Sequence, residues 1–166
     1  RIIFKYLLLF IFMNIYEKKL NQFLKDNNSD AQLLIYEKTC HSVEEASKTA
    51  NVDPTNFIKS ICMIDSNDEL IVAIVKGEDR ASSTRISKSL GIEKPRVATP
   101  EEMLKKTGYP CGGTPPFGYK ANYLIDTKVM DKEMVYGGGG SERALVKVST
   151  SELNRLNNGR IVRISK

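Results

Sequence analysis

The sequence is poor in the residues that build disulfide frameworks, metal knuckles and histidine-based machinery. It has one histidine, His41, and three cysteines, Cys40, Cys62 and Cys111, with no Cys-x-x-Cys pair. An odd cysteine count without that spacing argues against a disulfide scaffold and a zinc knuckle. A reducing cytoplasm is the natural compartment for such a chain. No block of five or more Lys/Arg occurs, so there is no basic disordered tail. No apolar run reaches the roughly 18 residues that suggest a spanning helix, so no membrane partner is expected. Both common phosphate-loop signatures, G-x-x-x-x-G-K-[ST] and G-x-G-x-x-G, are missing. No internal repeat is visible.

What is present suits one globular domain: 166 residues, 41% apolar and 27% charged. The net charge of +5 permits a nucleic-acid partner without requiring one. Residues 1–12, RIIFKYLLLFIF, differ from the rest. Arg1 and Lys5 would suit the charged end of a signal peptide, but no small-x-small cleavage site follows. The favoured expectation is that Met13 is the true start, with 1–12 a leader or upstream-translated segment and 13–166 the domain.

The apolar stripe Ile15, Tyr16, Leu20, Phe23 and Leu24 predicts a helix over 15–28. Segment 32–37 reads as a strand, and Ser42 with Glu45 as a capping box opening a helix over 43–50. Asp53-Pro54 reads as another helix start. The runs 57–65 and 70–77, separated by DSNDE, read as an antiparallel hairpin. The second run is nearly all apolar, so both its faces should be covered. Helices follow from Ser82 or Ser83 to Leu90, closed by Gly91, and from the Thr99-Pro100-Glu101-Glu102 capping box to Gly108. Strands are expected at 122–126, 134–137, 144–149 and 160–165, with a short helix at 151–157. This is an α+β pattern with a mixed, mostly antiparallel sheet.

The densest unusual stretch is 108-GYPCGGTPPFGYK-120, with four glycines and three prolines in thirteen residues. Proline fixes φ near −65°, and glycine admits φ > 0, so interleaving them defines sharp bends. Flexible linkers favour Gly with Ser and spacers favour Pro; this mixture suits a rigid wall that brings bare backbone to a ligand. Cys111 within it could be a nucleophile whose pKa is lowered by loop amides, but no base is identifiable. The run 137-GGGG-140 could present amides to an anion, or could be a hairpin turn. Lys59 in 57-FIKSI-61 is by spacing an ordinary outward strand lysine. Cys40 and His41 are adjacent in an extended segment, so their side chains should point apart. Cys62 reads as small core packing.

Taken in order, 53-DPTNFIKSICMID-65, 70-LIVAIVKGEDR-80, 108-GYPCGGTPPFG-118, 123-YLID-126 and 137-GGGGS-141 resemble the YbaK/prolyl-tRNA-synthetase-associated editing domain family over about residues 14–164. The resemblance implies a compact α+β domain with a mixed, barrel-like sheet surrounded by helices. It implies hydrolysis of an amino acid wrongly esterified to a tRNA, notably cysteine or alanine on proline tRNA, with no metal and no cofactor. The implied partners are the acceptor end of a mischarged tRNA and prolyl-tRNA synthetase. Lys59 takes the position of the family's functional lysine. Gly112, Gly113, Thr114, Pro115, Pro116 and Gly118 take that of its Gly/Pro loop, and Gly138, Gly139 and Gly140 that of its second glycine segment. The bare glycines at 137–140 stand where some cysteine-specific members carry polar residues. The competing expectation is a non-catalytic tRNA-end binder or a regulatory partner of a synthetase.

Overall fold

The computed structural model describes residues 2–166, without the side chains of residues 5, 6 and 8–10. Arg1, cited above for the charged end of a signal-like segment, lies outside the described residues. Six α-helices and eight strands follow in the order α1 (Ile2–Phe12), α2 (Ile15–Asp26), β1 (Gln32–Ile35), α3 (Val43–Ala50), β2 (Ile58–Ile64), β3 (Leu70–Lys76), α4 (Ser83–Leu90), β4 (Arg96–Val97), α5 (Pro100–Thr107), β5 (Asn122–Ile125), β6 (Met134–Gly138), β7 (Ala144–Ser149), α6 (Thr150–Asn157) and β8 (Arg160–Ile161). None of the described helices is long and apolar enough to cross a membrane.

The α+β class and the mixed pairing are as the sequence suggests. The sheet, however, is not closed into a barrel. It is split into a three-stranded sheet, β1-β7-β6, and a five-stranded sheet, β4-β2-β3-β5-β8. The β2–β3 hairpin is antiparallel, whereas β3–β5 and β5–β8 are parallel. Among the described residues the two sheets are bridged between Phe57 and Tyr136.

The five-stranded sheet is covered on both faces, which explains the continuous apolar run of β3. One face, through Ile58, Cys62, Ile64, Val72, Ile74 and Ile125, packs against α2, α6 and the inner face of the smaller sheet. The other, through Met63, Ile71, Ala73, Val75 and Leu124, packs against Ile86 of α4 and Ile164 near the C-terminus. That C-terminal segment is tied down by Asp126, which is fully buried. Its carboxylate accepts from the amides of Ile164 (2.7 Å), Ser165 (2.8 Å) and Lys128 (3.2 Å) and from the Ser165 hydroxyl. Burial alone would raise its pKa, but these donors stabilise the anion and hold the carboxyl below its ordinary value.

Local capping decides where several elements begin. The Thr99–Glu102 capping box forms in both halves. At α3 only the Ser42 half forms; the Glu45 carboxylate takes the His41 amide and the Thr39 hydroxyl instead. A capping box absent from the sequence reading joins Asn14 and Glu17 at the start of α2. After Asp53-Pro54 the chain makes only one 3₁₀ turn, Pro54–Asn56, because the β-rich run from Phe57 takes over. The last strand is reduced to Arg160–Ile161, and the residues after it serve the Asp126 clamp rather than a sheet ladder.

Candidate active site

A cleft of about 340 Å³ opens where the two sheets meet. Its origin is the short reach of β4, which pairs only with Met63 and Ile64 and leaves the β2 edge at Ile58–Ile61 without a strand on that side. Phe57, Ile58, Lys59 and Ser60 line the cleft from this edge. The end of β6 contributes Tyr136, Gly137 and Gly138, and the Gly/Pro loop contributes Gly112 and Thr114. The fourth wall is the start of α3, with Val43 and Ala46, and the segment before it. Ala46, Phe57 and Leu145 form a small apolar cluster, against which Val43, Cys40 and Tyr136 pack.

Lys59 is half-buried, and its ammonium has no ion-pair or hydrogen-bond partner among the described residues. An unpaired cation in a partly apolar cleft is available to an anionic or carbonyl-bearing ligand.

The Gly/Pro loop is a fixed wall. Tyr109 and Phe117, near its two ends, are both fully buried. Phe117 stacks on Phe23 of α2 with ring centroids 5.8 Å apart. Within the loop the Gly113 amide donates to the Pro110 carbonyl (3.1 Å), and the Thr114 hydroxyl donates to the same carbonyl (3.0 Å). The amides of Gly112 and Thr114 have no acceptor among the described residues. Gly112 has φ +88°, and only Glu142 Cγ, at 3.9 Å, lies near its Cβ position, so its glycine is required by backbone conformation.

The glycines of the two segments serve each other more than they serve the cleft. A Cβ on Gly138 would fall on the Thr114 carbonyl oxygen, and one on Gly113 would lie 2.6 Å from the Ser141 nitrogen. The Gly140 amide donates to the Gly113 carbonyl at 2.7 Å. Gly139 is crowded by the backbone of Ala144, and Gly140 by that of Tyr16 and Glu17 at the start of α2. Of the residues singled out from the sequence, Lys59, Gly112, Thr114 and Gly138 therefore line the cleft together. Gly113, Pro115, Pro116, Gly118, Gly139 and Gly140 stand behind it as frame.

Cys111 is exposed and does not line the cleft, whereas Cys62 is buried and its thiol is pushed up to about 12, chiefly by burial. Sequence reasoning missed the rim formed by Cys40, His41 and Ser42. Cys40 and His41 both line the cleft, and His41 Nε2 lies 3.3 Å from Glu142 Oε2. Burial, then the nearby Glu45, raises the Cys40 thiol, which makes it a poor nucleophile at neutral pH. The signal that could have revealed this rim is the helix cap at Ser42, which fixes where the preceding residues must run.

The α+β domain has solved structural relatives. A hypothetical protein, APE2540, superposes with a TM-score of 0.82 at 27% identity, over 89% of this chain and 99% of its own. A protein described as a candidate trans-editing enzyme for prolyl tRNA synthetase superposes with a TM-score of 0.86, over 93% of this chain and 99% of its own; at 20% identity that likeness is one of fold. In sequence, the chain is 24% identical to the uncharacterised protein YwhH of Bacillus subtilis strain 168, covering 76% of this chain and 82% of YwhH. It is 30% identical over 98 residues to a proline–tRNA ligase of Thermotoga neapolitana, covering 58% of this chain but only 17% of the ligase. Residues 37–156 match the model of the aminoacyl-tRNA editing domain, and the chain belongs to that family.

Proposed function

We propose that this protein is a deacylase that acts in trans on mischarged tRNA, hydrolysing the ester of cysteine or alanine on proline tRNA. The observation that carries this reading is Lys59, an unpaired cation among the described residues, on a cleft lined by glycine backbone, apolar side chains and a polar rim at Cys40, His41 and Ser42. An aminoacyl ester is already activated, so its hydrolysis needs positioning and oxyanion stabilisation more than a strong nucleophile. Water attacks the carbonyl carbon, the bond to the ribose oxygen breaks, and that oxygen leaves with a proton. The Lys59 ammonium would hold the carbonyl or the terminal phosphate as a point charge. The unpaired amides of Gly112 and Thr114 are suited to the developing oxyanion. The apolar cluster around Ala46, Phe57 and Leu145 suits a small uncharged amino-acid side chain.

The test is a panel of mischarged tRNAs incubated with the purified chain, reading released amino acid. Release from Cys- or Ala-charged proline tRNA, lost in Lys59→Ala, is the expected result. Tight tRNA binding without release would instead make the protein a binder or a synthetase partner.

A further inference from the structure

We propose that the outer face of the three-stranded sheet is a track for the single-stranded 3′ end of the RNA, with Tyr136 as a stacking platform and Lys147 as a phosphate contact. This rests on reading the cleft as a site for aminoacyl-tRNA.

Strand alternation creates the track. Val135, Val146 and Val148 turn inward to the main core, so Met134, Tyr136 and Lys147 turn outward. The register places Tyr136 beside Lys147 and Lys147 beside Gln32, a row that crosses all three strands. Tyr136 is also a wall of the cleft, so the row begins inside the candidate active site. Lys147 Nζ lies 6.0 Å from the centre of the Tyr136 ring, and the lysine has no ion pair among the described residues. Beyond Tyr136 the face continues into a groove of about 130 Å³ lined by Gln32, Met134 and Lys147, with Asp30 also on its border.

Tyr136 is half-buried and packs on Phe57, ring centroids 5.6 Å apart, so the face is covered at the cleft and opens toward Lys147 and the exposed Gln32. An aromatic ring with a neighbouring cation on a sheet face is the usual chemistry for unpaired nucleotides. Bases stack on the ring regardless of sequence, and the cation meets the phosphate. A nucleotide whose ester lies in the cleft would leave its neighbour on this row. Asp30 repels phosphate, which places the phosphate contact at Lys147 rather than further along the groove.

The experiment is titration of a 5′-labelled single-stranded RNA hexamer ending in CCA across a range of salt, with no hydrolysis involved. Lys147→Ala should weaken binding roughly fivefold and flatten the salt dependence of log K by about 0.7, the share of one phosphate contact on single strands. Tyr136→Leu should weaken it roughly tenfold, and Tyr136→Phe should restore it, because stacking needs the ring and not the hydroxyl. Lys88→Ala, at an exposed position of α4, removes the same charge elsewhere and should leave affinity and salt slope as they are. Wild-type affinity and slope in Lys147→Ala, or no binding by the wild-type chain, would overturn the track whatever the deacylation assay gives. Failure of deacylation alone, with these binding differences intact, would overturn the catalytic reading and leave the track standing.

Discussion

Asp126 and Lys59 are both ionisable side chains set among apolar neighbours, and they differ in what surrounds the charge. Asp126 is sealed from solvent and accepts four hydrogen bonds, three from amides and one from a hydroxyl. Lys59 faces a cleft and has no partner among the described residues. A buried charge with its donors complete is a fastener: removing it leaves those donors stranded. An unpaired charge at an opening costs stability where it stands and is worth keeping only for what it binds. The contrast separates the part of the molecule that holds the chain together from the part that is free to act.

Lys59→Ala should break the functional side of this comparison. Ester hydrolysis should fall at least a hundredfold, as for loss of one oxyanion-stabilising group, with the melting temperature unchanged or slightly raised. Equal turnover in the variant would show that the cation is ornamental. Asp126→Ala should break the structural side. Stranding the amides of Ile164 and Ser165 should cost about 3 kcal/mol, lowering Tm by roughly 6–12 °C while activity per folded molecule persists.

The same residue gives a pH signature. Because its folded pKa is depressed, its stabilisation is complete above the ordinary carboxylate range near pH 4 and is lost as pH falls through the folded value. Acid unfolding followed by circular dichroism should therefore begin at higher pH in the wild type than in Asp126→Asn, once the neutral variant's lower starting stability is subtracted.

Gly138→Ala probes the boundary between the two roles. The added methyl would meet the Thr114 carbonyl, so overpacking should cost about 1–3 kcal/mol and displace the Thr114 amide, lowering activity and stability together. The smallest effect should be Cys111→Ser, within about 0.5 kcal/mol in stability and less than twofold in rate, since the thiol is exposed and off the cleft.

Much of this was legible in the sequence where the signals are local. Pro100 with Thr99 and Glu102 fixes α5, and Ser82 with Gly91 brackets α4, because caps act within one turn. The hairpin of β2 and β3 follows from two apolar runs and a polar turn. What stayed hidden depends on contacts distant in sequence. The two-residue β4 and the cut-short β8 carry no periodic pattern, and the separation into two sheets depends on where Phe57 meets Tyr136. Lys59 looks ordinary in its strand; only the absence of a covering strand beside Ile58–Ile61 gives it a cleft. The glycines of 137–140 look like a slack turn until Gly113 and Thr114 are placed against them.

That contact has a consequence for how the cleft can change over evolution or by design. Two segments about 25 residues apart meet backbone to backbone, so neither can gain a side chain at Gly113 or Gly138 unless the other withdraws. A side chain added on that side must be matched by a shift of the facing segment. The side formed by the start of α3 meets the cleft through side chains, Val43 and Ala46, where single exchanges alter volume. The cleft thus has a half held by backbone contact and an adjustable half, and a library aimed at new amino-acid preference belongs on the start of α3.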